Sequence, residues 1–173
     1  MNRTETVLGL VFSFIMLAGI AQAGNATWTG TSGNNWSAGG NWAGGAYPGS
    51  TSGTLNTDQA SFTNTLGNRS PVFDLANINL GGFLFDTGAG AFTLGTTGGN
   101  DVLLSGGGSI TVNSGVTVAQ IVNAPIIIQN ASGGSSGVYT NLNNSTTIGA
   151  ALTLGGDIKG VATAGNTTTL TIG

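Results

Sequence analysis

The segment Gly108-Ser109-Ile110-Thr111-Val112-Asn113 alternates polar and apolar side chains with a period of two. This alternation is typical of a β-strand with one buried face. Similar runs recur along the chain, separated by Gly, Asn, Ser and Thr: Leu80 to Phe85 with an irregularity at Gly81-Gly82, Phe92 to Leu94, Val116 to Val118, Ile126 to Ile128, Leu152 to Leu154 and Leu170 to Ile172. We therefore predict an all-β chain of short strands and turns, without a helix after residue 23.

Two architectures accommodate strands of this length. An antiparallel β-sandwich is favoured by tight Asn-Gly or Asp-Gly hairpin turns, and the sequence contains neither dipeptide. Glycine runs such as Gly98-Gly99 and Gly106-Gly107-Gly108 suit wider corners, and Pro125 marks a corner or the start of a strand because it has no N–H to donate. We predict a right-handed parallel β-helix, a solenoid with coils of roughly 20 to 25 residues, and keep the antiparallel β-sandwich as the alternative.

The N-terminus, residues 1–23, forms a separate segment. Arg3 precedes an apolar run from Val7 to Ile20, and Ala21-Gln22-Ala23 provides small residues for cleavage. These features predict a signal peptide over residues 1–23, export to the extracellular space or a bacterial cell surface, and no membrane span in the mature segment. The remainder divides into a Trp-rich cap region, residues 24–77, and residues 78–173, which we expect to be the first coils of a longer, truncated β-helix.

The 173-residue chain contains few groups for acid–base or metal chemistry. It has three Lys and Arg, six Asp and Glu, a net charge of −3, and neither His nor Cys. This composition excludes catalytic triads with histidine, disulfides and zinc sites of the usual nitrogen and sulfur type. It also lacks the basic surface that nucleic acids require. We predict no enzyme activity, no catalytic residues, no metal site, no cofactor and no nucleic-acid partner.

Two segments and the spacing of the aspartates are candidate evidence for catalysis or metal binding. Phe85-Asp86-Thr87-Gly88 resembles the catalytic loop of aspartic proteases, which need a second such aspartate. Gly98 to Leu103 resembles one imperfect copy of a calcium-binding nonapeptide. A polysaccharide-active enzyme needs a pair of carboxylates, and the spacing of the aspartates does not match one coil length. We interpret Asp86 as a turn residue that ends a strand.

Aromatic residues concentrate near the N-terminus: Trp28, Trp36, Trp42 and Tyr47. Their ring faces suit a platform on which glycans stack. Alternatively, they form a hydrophobic plug over the first coil, since each large ring buries much apolar area. We favour the plug and retain the carbohydrate-binding module as an alternative function.

A series of short motifs runs along the chain: Thr27-Trp28-Thr29-Gly30, Asn35-Trp36-Ser37, Asn41-Trp42, Pro48-Gly49, Ala60-Ser61-Phe62, Phe83-Leu84-Phe85-Asp86, Phe92-Thr93-Leu94-Gly95 and Gly108-Ser109-Ile110-Thr111-Val112. In these motifs the sequence resembles bacterial autotransporter-associated β-strand repeat proteins. The resemblance implies a secreted or surface-displayed, structural or adhesive β-helix without catalytic residues. Its expected partners are the downstream coils of a longer chain, surface glycans or other cells. The Leu-Thr-Leu-Ser-Gly repeat of the family is approached only at Leu152 to Gly156 and Leu170 to Gly173.

Overall fold

The structure, a computed structural model, describes residues 24–53, 55–113 and 115–128, and the backbone of strands at 137–144, 152–154, 158–160 and 168–172. The predicted signal peptide lies outside the described residues. These residues form no α-helix, and one 3-10 turn spans Gly39–Asn41. The strands are β1 (Ala26–Thr27), β2 (Gln59–Phe62), β3 (Ile78–Phe85), β4 (Thr93–Leu94), β5 (Val102–Val112), β6 (Gln120–Val122), β7 (Ile126–Ile128), β8 (Gly137–Asn144), β9 (Leu152–Leu154), β10 (Ile158–Gly160) and β11 (Thr168–Ile172). The predicted all-β class is confirmed.

The strands pair in parallel throughout, in one sheet of eight strands and one of three. An irregularity in β3 and β5 divides the larger sheet into two ladders. The first ladder joins residues 78–80 of β3, residues 102–104 of β5, β7 and β10. The second ladder joins β1, β2, residues 82–85 of β3, residues 108–112 of β5, β8 and β11. The third ladder is β4, β6 and β9. An antiparallel sandwich would require antiparallel pairs instead.

Paired residues lie one long interval apart in sequence. Ala60 pairs with Phe83, and Ile78 pairs with Val102. Ile126 pairs with Ile158, and the stretch of chain between these two residues is longer than in the first two pairs. The interval between paired residues is within the range expected for one coil in the first two pairs and exceeds it in the third.

Apolar side chains from the ladders form one core. The buried side chains on the strands include Ile78, Leu80, Phe83, Phe85, Leu94, Val102, Leu104, Ile110, Val112, Val122 and Ile126. No charged side chain is buried among the residues whose side chains the structure describes. Alternation along strands such as Ser109-Ile110-Thr111-Val112 places every second side chain in this core.

The predicted irregularity in β3 is confirmed, and its cause lies in a glycine run. Leu80 pairs with Leu104, whereas Gly82 pairs with Ser109, so β5 contains extra residues at this point. A Cβ on Gly82 would lie 2.4 Å from the Ser109 carbonyl oxygen, which only glycine permits. The run Gly106-Gly107-Gly108, predicted to form a corner, lies within β5 where its register with β3 shifts, and Gly108 pairs with Thr140.

The structure corrects one predicted strand and confirms the position of one proline. Val116 to Val118 forms no strand, and the Val116 N–H donates to the Asn113 carbonyl at 3.0 Å instead of to a neighbouring strand. Pro125 directly precedes β7, as predicted for a strand start, and its carbonyl accepts the Val102 N–H at 2.8 Å. Strand β10 was not expected from the sequence.

Candidate functional site

The four aromatic side chains predicted as a platform or a plug lie in the core. Trp28 and Trp36 have no exposed surface, Trp42 is 3% exposed and Tyr47 is 8% exposed. The Trp42 ring contacts the Trp28 and Trp36 rings edge to face, with centroids 5.0 and 4.5 Å apart. The region therefore contains a continuous aromatic cluster.

This cluster continues into the sheet. The Trp36 ring lies 4.5 Å from Phe73 and 6.2 Å from Phe83, measured between centroids. Phe62 of β2 stacks on Phe85 at 5.1 Å, which extends the contacts along the second ladder. Aromatic pairs at these distances contribute about 0.5–1.5 kcal/mol beyond the area they bury. The cap is thus an extension of the sheet core, and strands β1 and β2 within it pair directly with that sheet.

Each indole N–H is bonded to a main-chain carbonyl. Trp28 Nε1 donates to the Asn68 oxygen at 2.6 Å, and Trp36 Nε1 donates to the Pro48 oxygen at 3.1 Å. Trp42 Nε1 donates to the Trp36 oxygen at 2.7 Å. These bonds hold three backbone segments that lie outside the named strands, because a buried indole N–H must find an acceptor.

Glycan stacking requires ring faces that a sugar can reach. The Trp42 ring contacts those of Trp28 and Trp36, the Trp36 and Trp42 rings also contact phenylalanines, and Tyr47 is buried in the same core. The burial supports the plug interpretation, because the rings pack against Phe62 of β2 and Phe83 of β3 in the second ladder. The glycan-stacking role of Trp28, Trp36, Trp42 and Tyr47 stays a prediction that this burial does not support.

Three aspartates hold turns. The Asp58 carboxylate accepts the Gly49 N–H at 3.1 Å, and the Asp74 carboxylate accepts the Ser37 N–H at 2.9 Å and the Ser37 hydroxyl. Asp86 Oδ1 accepts the Thr87 N–H and the Asn113 Nδ2–H, both at 2.7 Å. Each carboxylate therefore has a partner typical of an Asx turn or a loop anchor.

Asp86 remains ionised at neutral pH. The side-chain hydrogen bond from Asn113 and the backbone hydrogen bond from Thr87 lower its pKa below the ordinary value of 3.8, against a small opposing effect of burial. Aspartic proteases require two neighbouring carboxyl groups that share one proton, because two negative charges at close range cannot both form. The environment of Asp86 favours the turn interpretation.

The segment that resembles a calcium nonapeptide is tied to the core through its amide. Asn100 Nδ2 donates to the Phe73 carbonyl at 2.7 Å. Within the part of the chain that the structure describes, no three His, Cys, Asp or Glu side chains cluster as they would around a metal ion.

Sequence reasoning missed two buried polar networks. Gln120 has no exposed surface; its Oε1 accepts the Phe92 N–H at 3.1 Å, and its Nε2 donates to the Gly90 and Val118 carbonyls. In the second network, Ser105 Oγ donates to Asn79 Oδ1 at 2.7 Å and accepts the Asn56 N–H at 2.6 Å. A signal for the first existed, since Gln120 lies directly between the apolar residues Ala119 and Ile121 in the charge-free segment from Val116 to Ile128.

No protein-family model matches the sequence, and comparison with curated proteins and with solved structures gave no match. The resemblance to autotransporter-associated repeats therefore stays a prediction. Among residues 24–128 and the later strands that the structure describes, no helix has the length and apolar character needed to cross a membrane.

Proposed function

We propose that this chain is a non-enzymatic structural or adhesive segment of a secreted or surface-displayed, autotransporter-like protein. Its parallel ladders would wind as a right-handed β-helix, with the aromatic cluster as the plug of the first coil. Its partners would be further coils of a longer chain, surface glycans or other cells. The role is mechanical: a stiff column presents its outer surface to the surroundings.

The observation that carries this proposal is the register of the three parallel ladders. Neighbours in each ladder are separated by a long stretch of chain, as in Ala60 with Phe83 and Ala26 with Ala60. Parallel strands joined over such intervals stack successive passes of the chain on one another. Such stacking supports a solenoid more than a sandwich.

The distribution of charge supports a role without catalysis. The aspartates with described contacts, Asp58, Asp74 and Asp86, accept hydrogen bonds that hold loops. Among the residues whose side chains the structure describes, the buried polar ones are Asn41, Asn79, Ser105 and Gln120, none of which titrates. An acid–base mechanism needs groups whose pKa lies near the working pH.

Export is tested by producing the full chain in a bacterium with two membranes. We expect the mature protein to begin at Gly24. We also expect protease added to intact cells to degrade it, because it is displayed on the outer surface. The matched control is Ala23→Arg, which blocks cleavage by placing a large cation at the small-residue site. A full-length chain that starts at Met1 and stays in the cytoplasm would contradict the proposal.

Adhesion is tested separately with beads coated with the exported protein. We expect the beads to attach to cells more than albumin-coated beads do, without release of reducing sugars from a polysaccharide panel. Sugar release would favour an enzyme instead. Glycan binding that shifts the tryptophan fluorescence of the folded protein would favour the carbohydrate-binding module.

A further inference from the structure

The N-terminal ends of two ladders are edges that another strand could extend. An unpaired strand edge offers a row of N–H and C=O groups to any neighbouring chain. Residues 26–30, which begin with strand β1 of the second ladder, contain neither a charged residue nor a proline. These are the usual means of blocking such an edge. Protection of this edge therefore depends on another part of the chain.

The segment of residues 41–50 covers the edge at β1. Trp42 forms an antiparallel bridge to Trp28. The Ala43 N–H donates to the Thr27 carbonyl at 2.8 Å, and the Thr29 N–H donates to the Asn41 carbonyl at 2.7 Å. The Trp28 N–H points the other way and donates to the Ser61 carbonyl of β2. Backbone groups on the free side of β1 are thus hydrogen-bonded to an irregular segment, which runs antiparallel to β1.

The same segment covers the first ladder at residues 78–80. Ser50 forms an antiparallel bridge to Asn79. The Ser50 N–H donates to the Asn79 carbonyl at 3.0 Å, and the Asn79 N–H donates to the Ser50 carbonyl at 2.6 Å. Both bridges are antiparallel, whereas every pairing between the named strands is parallel, so residues 41–50 end the two ladders instead of adding a coil to them.

Several contacts hold this segment in place. Asn41 is fully buried; its Oδ1 accepts the Ser32 N–H at 2.7 Å, and its Nδ2 donates to the Asn35 carbonyl at 3.0 Å. Gly49 has φ +98°, and a Cβ there would lie 2.8 Å from the Leu80 side chain. The segment passes so close to the ladder that only glycine fits at this point.

We propose that residues 41–50 are an edge guard that prevents a second copy of this chain from adding a strand to the N-terminal ends of the two ladders. A second copy is the fitting occupant because it carries the same strands, and a net charge of only −3 gives little repulsion between copies. The inference rests on the hydrogen bonds of the guard and is independent of export and adhesion.

The test removes one hydrogen bond of the guard in the full chain. Ala43→Pro deletes the N–H that donates to Thr27, and the backbone of Trp42, at φ −122° and ψ 138°, is extended as a residue before proline requires. The Ala43 side chain is exposed, so the change removes little packing. Ala43→Ser keeps the N–H and is the matched control.

Association is read at β1 itself. The protein has no cysteine, so Thr27→Cys with a short bis-maleimide reports when two N-terminal edges meet. We expect cross-linked dimer in the Ala43→Pro protein, with an apparent dimerisation constant about tenfold tighter than in the Ala43→Ser control. Equal cross-linking in both folded proteins would overturn the proposal.

If Ala43→Pro fails to fold, hydrogen exchange on the unchanged protein decides. The guard predicts that the Ala43, Ser50 and Thr29 amides are protected, because each donates to a backbone carbonyl. Exchange of the Ala43 and Ser50 amides at the rate of an unstructured chain would overturn the proposal.

Discussion

The cap, residues 24–77, and the ladders that follow it, residues 78–128, belong to one core but are stabilised by different means. In the cap the backbone is irregular, and buried indoles fix it by donating to carbonyls at Pro48, Trp36 and Asn68. In the ladders, backbone groups pair with one another, and smaller aliphatic side chains such as Ile110 and Val102 fill the space between them. Where ladder hydrogen bonds are absent, large side chains determine the backbone conformation.

The largest expected effect is in the cap. Trp36→Ala removes a buried ring that contacts Trp42, Phe73 and Phe83, together with its bond to Pro48, and we expect a loss of about 3–5 kcal/mol in the free energy of unfolding. Trp36→Phe is the control, because it keeps an aromatic ring and deletes the N–H. Denaturant unfolding followed by circular dichroism measures both. A loss below about 1 kcal/mol for Trp36→Ala would show that the cap is not part of the core.

A buried polar group at the third ladder has the next largest effect. Gln120→Leu leaves the Phe92 N–H and the Gly90 and Val118 carbonyls without the partner that the amide provided. We expect the free energy of unfolding to fall by about 1–3 kcal/mol. Thr117→Ala changes an exposed neighbour and should stay within about 0.5 kcal/mol of the parent protein. Equal stability of the two variants would contradict the burial of Gln120.

A small deletion in the ladders tests the other side of the comparison. Ile110→Val removes one methyl group from a fully buried position and leaves the backbone pairing to Phe83 and Leu142 unchanged. We expect a loss of about 0.5–1.5 kcal/mol, measured by the same unfolding experiment. A loss as large as that of Trp36→Ala would mean that side-chain packing dominates the ladders as well.

The smallest effect concerns pH. Because the folded-state pKa of Asp86 lies below its ordinary value of 3.8, its ionised form stabilises the fold above that pH, and this contribution disappears as the pH falls through the folded-state pKa. Asp86→Asn does not titrate, so the difference in melting temperature between parent and variant should shrink below pH 3.8. Melting curves with a constant difference from pH 7 to pH 2 would contradict the bond from Asn113.

The ladders were more predictable than the cap because alternation is a local property. Ile110 to Val112 and Ile126 to Ile128 were identified as strands because apolar residues flanked by turn residues suit a buried sheet. Val116 to Val118 has a similar composition but forms no strand, and the Val116 N–H donates to the Asn113 carbonyl. Composition alone does not distinguish these cases.

The cap was predicted by residue type but not by its contacts. Large aromatic rings in a chain with few others indicate a hydrophobic plug, and the burial of Trp28, Trp36 and Trp42 agrees with that interpretation. The antiparallel bridges at Trp42 and Ser50 could not be predicted, since they join irregular segments that show no periodicity. The network of Ser105 and Asn79 likewise depends on two side chains that are distant in sequence.

The most direct test of the parallel ladders uses engineered disulfides, because the chain has no cysteine. Leu84 pairs with Thr111 in register, which places their Cα atoms about 4.8 Å apart, within the range of a disulfide. Leu84→Cys with Ser109→Cys is the control, since a displacement of two positions separates the Cα atoms by about 8 Å. We predict rapid oxidation of the Leu84→Cys, Thr111→Cys pair without loss of the fold, and none of the control pair. Oxidation of the control pair at the same rate, or failure of the first pair in a folded protein, would contradict the parallel register.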